Sequence, residues 1–163
     1  MITILSDKSF QKMAFKIIDY GSREYLQTVH LRFNILREPL GLDITQEELD
    51  KEKTDVIIGC FDDGVLEACC LLRKKSDVTV CLRHMAVLSG LQGKGIGRVL
   101  MTFAENIAQD LGYNKIIMDA RKISVGFYEK LGYKICGNEF MKVTIPHIEM
   151  EKNLQAAGNI LPS

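Results

Sequence analysis

The spacing of hydrophobic and polar residues along this chain changes repeatedly between the strand period and the helix period. An apolar run over residues 14–20 predicts a first strand, which Gly21 ends. Ser22 is a favourable N-cap, and Pro39 and Gly41 are residues that stop a helix, so we expect a helix between them. Four apolar residues at helical spacing mark its predicted buried face: Leu26, Val29, Phe33 and Leu36.

The next segment combines a short helix with a series of strands. Thr45 and Glu48 form a capping-box pattern, which predicts the start of a second helix. Three apolar segments then predict a meander of strands over residues 56–61, 65–73 and 78–88, and Asp62-Asp63-Gly64 is typical of a hairpin turn between the first two. We expect residues 1–12 to form a loose or accessory leader.

The second half of the chain begins with the clearest helical pattern in the sequence. Its apolar stripe consists of Ile96, Val99, Leu100, Phe103, Ile107 and Leu111. Gly112 is expected to end this helix, and a strand (115–118), a helix (125–131) and strands beginning at 133 and 147 follow. The order β-α-α-β-β-β-loop-α-β-α-β-β predicts an α/β fold with a mixed sheet of six or seven strands, antiparallel first and then parallel across the long helix.

Composition narrows the class of protein. With 163 residues, 47% of them hydrophobic, the chain is expected to fold as one domain with a substantial core. The 21 basic and 21 acidic residues balance, which argues against binding nucleic acid through bulk charge. No apolar stretch approaches the roughly 20 residues that span a bilayer, and the start lacks the basic flank of a signal peptide. We therefore expect a cytoplasmic protein without a membrane partner.

The cysteines predict neither a disulfide framework nor a metal site. There are five, an odd number, and no pair has C-x-x-C spacing: Cys60, Cys69, Cys70, Cys81 and Cys136. Their apolar neighbours predict reduced, buried thiols. We expect no bound metal.

A glycine-rich segment over residues 91–98 lies between an apolar run and the long helix. Glycines in this position allow backbone N–H groups to converge on an anion at a helix N-terminus, which suggests a pyrophosphate site. The alternative is a turn that merely brings helix and sheet together. The dinucleotide pattern G-x-G-x-x-G fails at Arg98, and no window fits the P-loop pattern of nucleotide-binding proteins.

The residues Gln92, Gly95 and Gly97 instead fit the pattern Q/R-x-x-G-x-G/A, and the segment Phe127-Tyr128-Glu129-Lys130-Leu131-Gly132-Tyr133 lies downstream. In both segments the chain resembles the GCN5-related N-acetyltransferase (GNAT) superfamily. Residues 31–42 and 145–150 resemble the bacterial subgroup that includes ElaA and YjcF. The resemblance implies one GNAT domain over residues 1–163 with a core at about 13–151, and helices on both faces of the sheet.

The resemblance also implies a cofactor and a reaction. The cofactor is acetyl-CoA, and the reaction moves its acetyl group directly to an amine of a small molecule or peptide. The alternative is an acyl-CoA-binding module without catalysis, and a homodimer is a further expectation. The implied cofactor-binding residues are Met85, Ala86, Val87, Gln92, Gly93, Lys94, Gly95, Ile96, Gly97 and Arg98. Arg121 replaces an asparagine that many members have near the cofactor, so its contact is expected to differ.

Three residues are candidates for catalysis. Tyr128 is the candidate acid for the leaving thiolate, since a phenol with a pKa near ~10 stays protonated at neutral pH; the alternative is a core aromatic. His84 and His147 are candidate bases, although His84 shares its predicted strand face with apolar residues. The amide of Met85 or Val87 is the candidate oxyanion donor.

Charged residues of the first half offer further candidates. The acids Glu47, Glu48 and Glu67 are possible bases that nothing distinguishes from solvated side chains. Arg32 and Arg37 either grip a carboxylate or phosphate of the acceptor or lie on a solvated helix face.

Overall fold

The computed structural model describes residues 2–4 and 13–154. The chain contains two compact units, one formed by Met1–Leu72 with His84–Ala104 and the other by Arg73–Arg83 with Glu105–Ser163. Among the described residues, no helix combines the length and the apolar character needed to cross a bilayer. The cytoplasmic location stays a prediction.

An antiparallel meander of strands forms the first unit's part of the sheet. Its strands are β1 (Ile2–Ile4), β2 (Met13–Ile18), β3 (Val56–Asp62) and β4 (Val65–Lys74). Of the two alternatives for the leader, a loose segment is wrong for residues 2–4, because β1 pairs with β2 in the register Ile2↔Lys16. The remainder of the predicted leader lies outside the described residues.

The first helix, α1 (Arg23–Arg32), begins at the predicted cap, where the Ser22 hydroxyl accepts a hydrogen bond from the Tyr25 amide at 3.1 Å. A π-helical turn and a 3-10 turn continue it to Gly41, whose φ of 69° is left-handed. Its predicted buried face is wrong at Leu26, which is 62% exposed, whereas Val29 and Leu36 are partly buried and pack against the core. The fully buried residues of α1 are Tyr25, Thr28, Leu31 and Arg32.

The second helix, α2 (Gln46–Asp50), confirms the predicted capping box. The Thr45 hydroxyl accepts from the Glu48 amide at 3.2 Å, and the Glu48 carboxylate accepts from the Thr45 amide at 2.8 Å. A 3-10 turn, Lys51–Thr54, connects α2 to β3 and carries the buried Glu52.

Strand β5 (Thr79–Val87), the glycine loop and helix α3 (Ile96–Asp110) follow one another in the chain. The predicted stripe of α3 is confirmed in its middle, where Leu100, Phe103 and Ile107 are buried. Leu111 lies beyond the helix and is exposed. Gly112, with φ 95°, takes the left-handed conformation expected of a residue that ends a helix.

The second unit contains β6 (Lys115–Arg121), α4 (Val125–Lys130), β7 (Lys134–Lys142) and β8 (Ile145–Asn153). Residues Thr79–Leu82 of β5 run parallel to β6, with Thr79 opposite Lys115. Strand β8 pairs antiparallel with both β6 and β7.

The strands form one sheet in the order β1-β2-β3-β4-β5-β6-β8-β7. This order confirms the predicted α/β fold with a mixed sheet, in which an antiparallel meander precedes a parallel crossover. The described residues contain eight strands, because β1 adds one to the six or seven expected.

The cysteines are free thiols with different environments. Cys60, Cys69 and Cys70 are buried as predicted, and burial raises the pKa of Cys60 and Cys69 to about 12. The prediction is wrong for Cys136, which is exposed on β7. Its thiol donates to Glu149 Oε1 at 3.2 Å, and partial desolvation together with that carboxylate raises its pKa to about 11.

Candidate functional site

The glycine loop adopts backbone conformations that side chains rarely tolerate. Gly93 has a φ of 82° and Gly95 a φ of 88°, both in the left-handed region that favours glycine. Residues 92–95 are exposed, and the Gln92 side chain donates to the Val87 carbonyl at 3.2 Å. That hydrogen bond fixes the start of the loop to the end of β5.

The loop runs directly into the N-terminus of α3. The Gly95 carbonyl accepts the helical hydrogen bond of Val99 at 3.1 Å, and Ile96 is buried beneath the first turn. That turn contains no acidic residue, while Lys94 and Arg98 are exposed around it. The N–H groups of a helix's first turn have no partner within the helix, and its dipole is positive there, so this end of α3 is suited to an anion.

The last residues of β5 depart from regular strand geometry. The parallel register with β6 ends at Leu82 in the described residues, although β5 continues to Val87. His84 has a φ of 55°, an uncommon value for a residue other than glycine. After it, Ala86 is buried, Met85 and Val87 are partly buried, and the Leu88 amide donates to the Glu67 carbonyl at 2.8 Å.

A buried polar cluster lies beside His84. Glu52 Oε1 accepts from the Tyr25 hydroxyl at 2.8 Å and from Arg32 at 2.9 Å, and Oε2 accepts from Arg32 at 2.5 Å. His84 Nε2 lies 3.8 Å from Glu52 Oε2, and 17% of its side chain is exposed. Burial opposes the charge on Arg32, but the hydrogen bonds and charge of Glu52 outweigh it and raise the pKa of Arg32.

Sequence reasoning missed Glu52 and misjudged both arginines. Glu52 lies in the charged run Asp50-Lys51-Glu52-Lys53, which is typical of a solvated surface. Arg32 neither faces solvent nor is available to an acceptor, because Glu52 neutralises it inside the protein. Arg37 pairs with Glu48 at 2.6 Å and donates to the Asp43 carbonyl at 2.6 Å.

The contacts of Arg37 also bear on whether Glu48 can act as a base. The hydrogen bond from Arg37 is the main cause that holds the pKa of Glu48 at about 2. This carboxylate therefore stays charged at neutral pH and is a poor candidate base.

Tyr128 lies in an aromatic group of the second unit. It is 6% exposed, with its ring edge-on to Phe127 at 5.0 Å and to Tyr133 at 5.8 Å between centroids. Its carbonyl accepts from the amides of Leu131 and Tyr133, which closes the end of α4. The Tyr133 hydroxyl donates to Glu105 at 2.9 Å, so the aromatic group is anchored to α3's last turns.

His147 is held on β8 with Arg121 and Phe140 as its cross-strand neighbours. The ring is buried and lies 2.9 Å from the Ile145 carbonyl through Nδ1. Since a carbonyl only accepts, Nδ1 carries the hydrogen and the neutral ring has its lone pair on Nε2. Its ring also lies 6.1 Å from that of Phe140.

The predicted site residues therefore fall into two local groups. The first unit brings together His84, Met85–Val87 and the loop from Gln92 to Arg98. The second unit contains Tyr128, and places His147 opposite Arg121.

Comparisons with known proteins give the family. The family model described as an acetyltransferase (GNAT) domain matches residues 39–154. The uncharacterized N-acetyltransferase YjcF of Bacillus subtilis is 34% identical over 73 residues, which cover 44% of this chain and 52% of YjcF. The chain spans about half the length of the first curated relatives it matches.

Solved structures agree on the fold. Escherichia coli ElaA superposes with a TM-score of 0.73 at 17% identity, over 86% of this chain and 99% of ElaA. An aminoglycoside 6'-N-acetyltransferase complexed with coenzyme A gives a TM-score of 0.71 at 18% identity, over 91% of this chain and 98% of that one. The similarity to YjcF and ElaA confirms the resemblance found in the sequence, and the family match covers more than half of the chain. The chain belongs to the GNAT family of acetyltransferases.

Proposed function

We propose that this protein is an acetyl-CoA-dependent N-acetyltransferase that moves an acetyl group directly to an amine of a small molecule or peptide. The observation that carries the proposal is the left-handed glycine loop at the N-terminus of a 15-residue helix. Family membership supports it, as does the coenzyme A bound to the similar aminoglycoside acetyltransferase.

The cofactor's pyrophosphate binds the loop from Gln92 to Arg98. Backbone N–H groups of Gly93, Gly95 and Gly97 supply hydrogen bonds, and Lys94 and Arg98 supply positive charge. Ile96 anchors this turn in the core, and the Gln92 side chain keeps the loop attached to β5.

The remaining parts of the cofactor use β5 and β6. The pantetheine arm follows the backbone of Met85, Ala86 and Val87, where the register with β6 has already ended. Arg121 ends β6 and contacts the cofactor's phosphates or adenine in place of the family's usual asparagine.

Acetyl transfer forms a C–N bond and breaks the thioester C–S bond. The amide of Met85 or Val87 donates to the developing oxyanion. Tyr128 gives its proton to the departing thiolate, and His84 or His147 removes the proton that the amine loses. Holding amine and thioester together supplies a large further part of the rate, about 7 kcal/mol or more in favourable cases.

The acceptor is recognised without Arg32 of α1 and without Arg37 of the π-helical turn that follows it. Arg32 and Arg37 are already paired with Glu52 and Glu48, so neither is available to grip a carboxylate or phosphate. Zero net charge favours small molecules or peptides over nucleic acid. A homodimer stays an expectation from the family.

The alternative is an acyl-CoA-binding module that does not catalyse transfer. The burial of Tyr128 favours this alternative. A tyrosine that is 6% exposed and packed against other aromatic rings is also typical of a core residue with no catalytic role. The two functions differ in turnover and agree in cofactor binding.

Thermal unfolding and thiol release test both functions. Acetyl-CoA is expected to raise the Tm of the wild type, and a panel of amines should release free coenzyme A thiol from it. Gly95→Glu should abolish the Tm shift. Gly112→Glu is the matched control, because it strains a comparable left-handed glycine (φ 95°) at the other end of α3 and should keep the shift.

Each outcome decides one point. No Tm shift with saturating acetyl-CoA would contradict the cofactor assignment. Binding without thiol release across the amine panel would favour the non-catalytic module.

A further inference from the structure

In the buried cluster around Glu52, one cation already neutralises the carboxylate, and His84 lies beside it as an additional polar group. Arg32 neutralises Glu52 through two hydrogen bonds, and the Tyr25 hydroxyl adds a third. A buried carboxylate with such partners is satisfied. The buried charge of Glu52 is therefore stabilised without His84. The contact between the two residues has its main effect on the histidine ring.

The backbone conformation of His84 also indicates that its surroundings hold this residue in place. A left-handed φ of 55° on a residue other than glycine is unfavourable and persists only where the surroundings hold it. Here it accompanies a ring whose Nε2 lies 3.8 Å from the Glu52 carboxylate and whose side chain still reaches solvent. Strained positions of this kind concentrate at functional sites.

We propose that Glu52 is a positioning residue that fixes the ring of His84 and stabilises its protonated form, which makes His84 the base that accepts the proton of the acceptor amine. The inference rests on the proposed function. Nε2 is the ring nitrogen that faces Glu52, at ion-pair distance from Oε2. As the amine nitrogen bonds to the acetyl carbon, its proton passes to the imidazole of His84, and the coenzyme A thiolate leaves with a proton from Tyr128.

His147 has a different environment. Nδ1 of its ring is bound to the Ile145 carbonyl, and the ring is buried. Within residues 13–154 no carboxylate lies at ion-pair distance from His147, whereas Glu52 meets that distance for His84. The imidazolium that a base must form is therefore stabilised at His84.

The charges that face His84 predict how its titration responds to substitution. Glu52 from the 3-10 turn favours the imidazolium, and Arg32 from α1, which is paired with the same carboxylate, opposes it. Tyr25 and the thiol of Cys69 are neutral at working pH, since burial raises the pKa of both. Glu52→Gln removes the favourable charge and leaves the unfavourable one.

NMR titration of the three histidine rings measures this effect without any acceptor. His84→Gln identifies the His84 signal, and Glu52→Gln should lower its titration midpoint by about one pH unit or more. Glu105→Gln is the matched control, because Glu105 also accepts from a tyrosine hydroxyl and pairs with a cation at 2.9 Å. It should leave the His84 midpoint unchanged.

Steady-state kinetics then connect the contact to catalysis. Glu52→Gln should lower kcat about 10- to 100-fold, shift the acidic limb of its pH profile with the His84 midpoint, and leave KM for acetyl-CoA within twofold. In the His84→Gln background the same substitution should have no further effect on kcat.

The design separates the two proposals. If Glu52→Gln does not fold, Arg32→Met with Glu52→Gln removes the uncompensated cation and should still lower the midpoint, since the nearest charge to the ring is gone. An unmoved His84 midpoint, or an equal loss of kcat with and without His84, would overturn the positioning role. Failure of acetyl-CoA to stabilise the wild type would overturn the proposed function instead.

Discussion

The hairpin between β7 and β8 carries strain that two substitutions should remove. Its two-residue turn consists of Val143 and Thr144, with φ values of 44° and 69°. Both residues are β-branched, and such residues are genuine outliers at positive φ. The hairpin between β3 and β4 has the same loop length, but its turn is Asp63-Gly64, with φ values of 50° and 81°. These are residue types that favour such a turn.

The magnitude follows from the two positive φ values. A left-handed backbone costs about 1–2 kcal/mol for an L-residue. Asn and Gly tolerate it, although Gly loses some of the gain through its flexible unfolded state. Val143→Asn with Thr144→Gly should therefore stabilise the protein by about 2 kcal/mol. For a chain of this length that corresponds to a Tm increase of about 4–8 °C.

Calorimetry and urea denaturation check this value. The reverse exchange, Asp63→Val with Gly64→Thr, is the matched control and should destabilise by a similar amount. A Cβ at Gly64 would meet nothing within 4 Å, so the loss there reports the backbone alone. A Val143→Asn, Thr144→Gly protein no more stable than the wild type would refute the reasoning.

Three further predictions concern catalysis, acid stability and packing. Tyr128→Phe should lower kcat about 10- to 100-fold with KM for acetyl-CoA within twofold, and an unchanged kcat would remove Tyr128 from the acid role. Glu48→Gln should destabilise by about 1 kcal/mol at pH 7, a value discounted for solvent screening because about a third of the side chain is exposed. The folded pKa of Glu48 is lowered to about 2, so its contribution is present above the unfolded value near 4.5 and lost as the pH falls towards 2. Urea denaturation at several pH values should show the difference from wild type closing over that range, and a constant difference would contradict the assignment. Gly59→Ala should cost about 1–3 kcal/mol, because its Cβ would lie 2.6 Å from Ile18 Cδ1 and 2.9 Å from Phe61 Cε2, and a neutral result in urea denaturation would show that these side chains yield.

Features set by local chemistry were predictable from the sequence. Ser22 caps α1, the Thr45–Glu48 box starts α2, and Gly112 follows α3, because each depends on neighbours within a few residues. The glycine loop is also a local feature, because its left-handed backbone positions admit few residues besides glycine and the sequence shows them directly.

Features set by distant partners were not predictable. The buried face of α1 turns towards Tyr25 and Arg32 because Glu52, 20 residues after Arg32, accepts hydrogen bonds from both. Helical periodicity counts only apolar residues, so it selected Leu26. The unusual backbone of His84 and the pairing of residues 2–4 with β2 likewise depend on contacts that no local pattern records.

The binding of coenzyme A's pyrophosphate by the glycine loop is the central claim, and calorimetry with two ligands tests it directly. S-Acetylpantetheine carries the thioester but lacks the pyrophosphate, so the wild type should bind acetyl-CoA at least tenfold more tightly. Gly95→Glu should reduce the two affinities to similar values, because it places a side chain and a negative charge on the loop. If Gly95→Glu keeps the full preference for acetyl-CoA, the pyrophosphate binds elsewhere and the account is wrong.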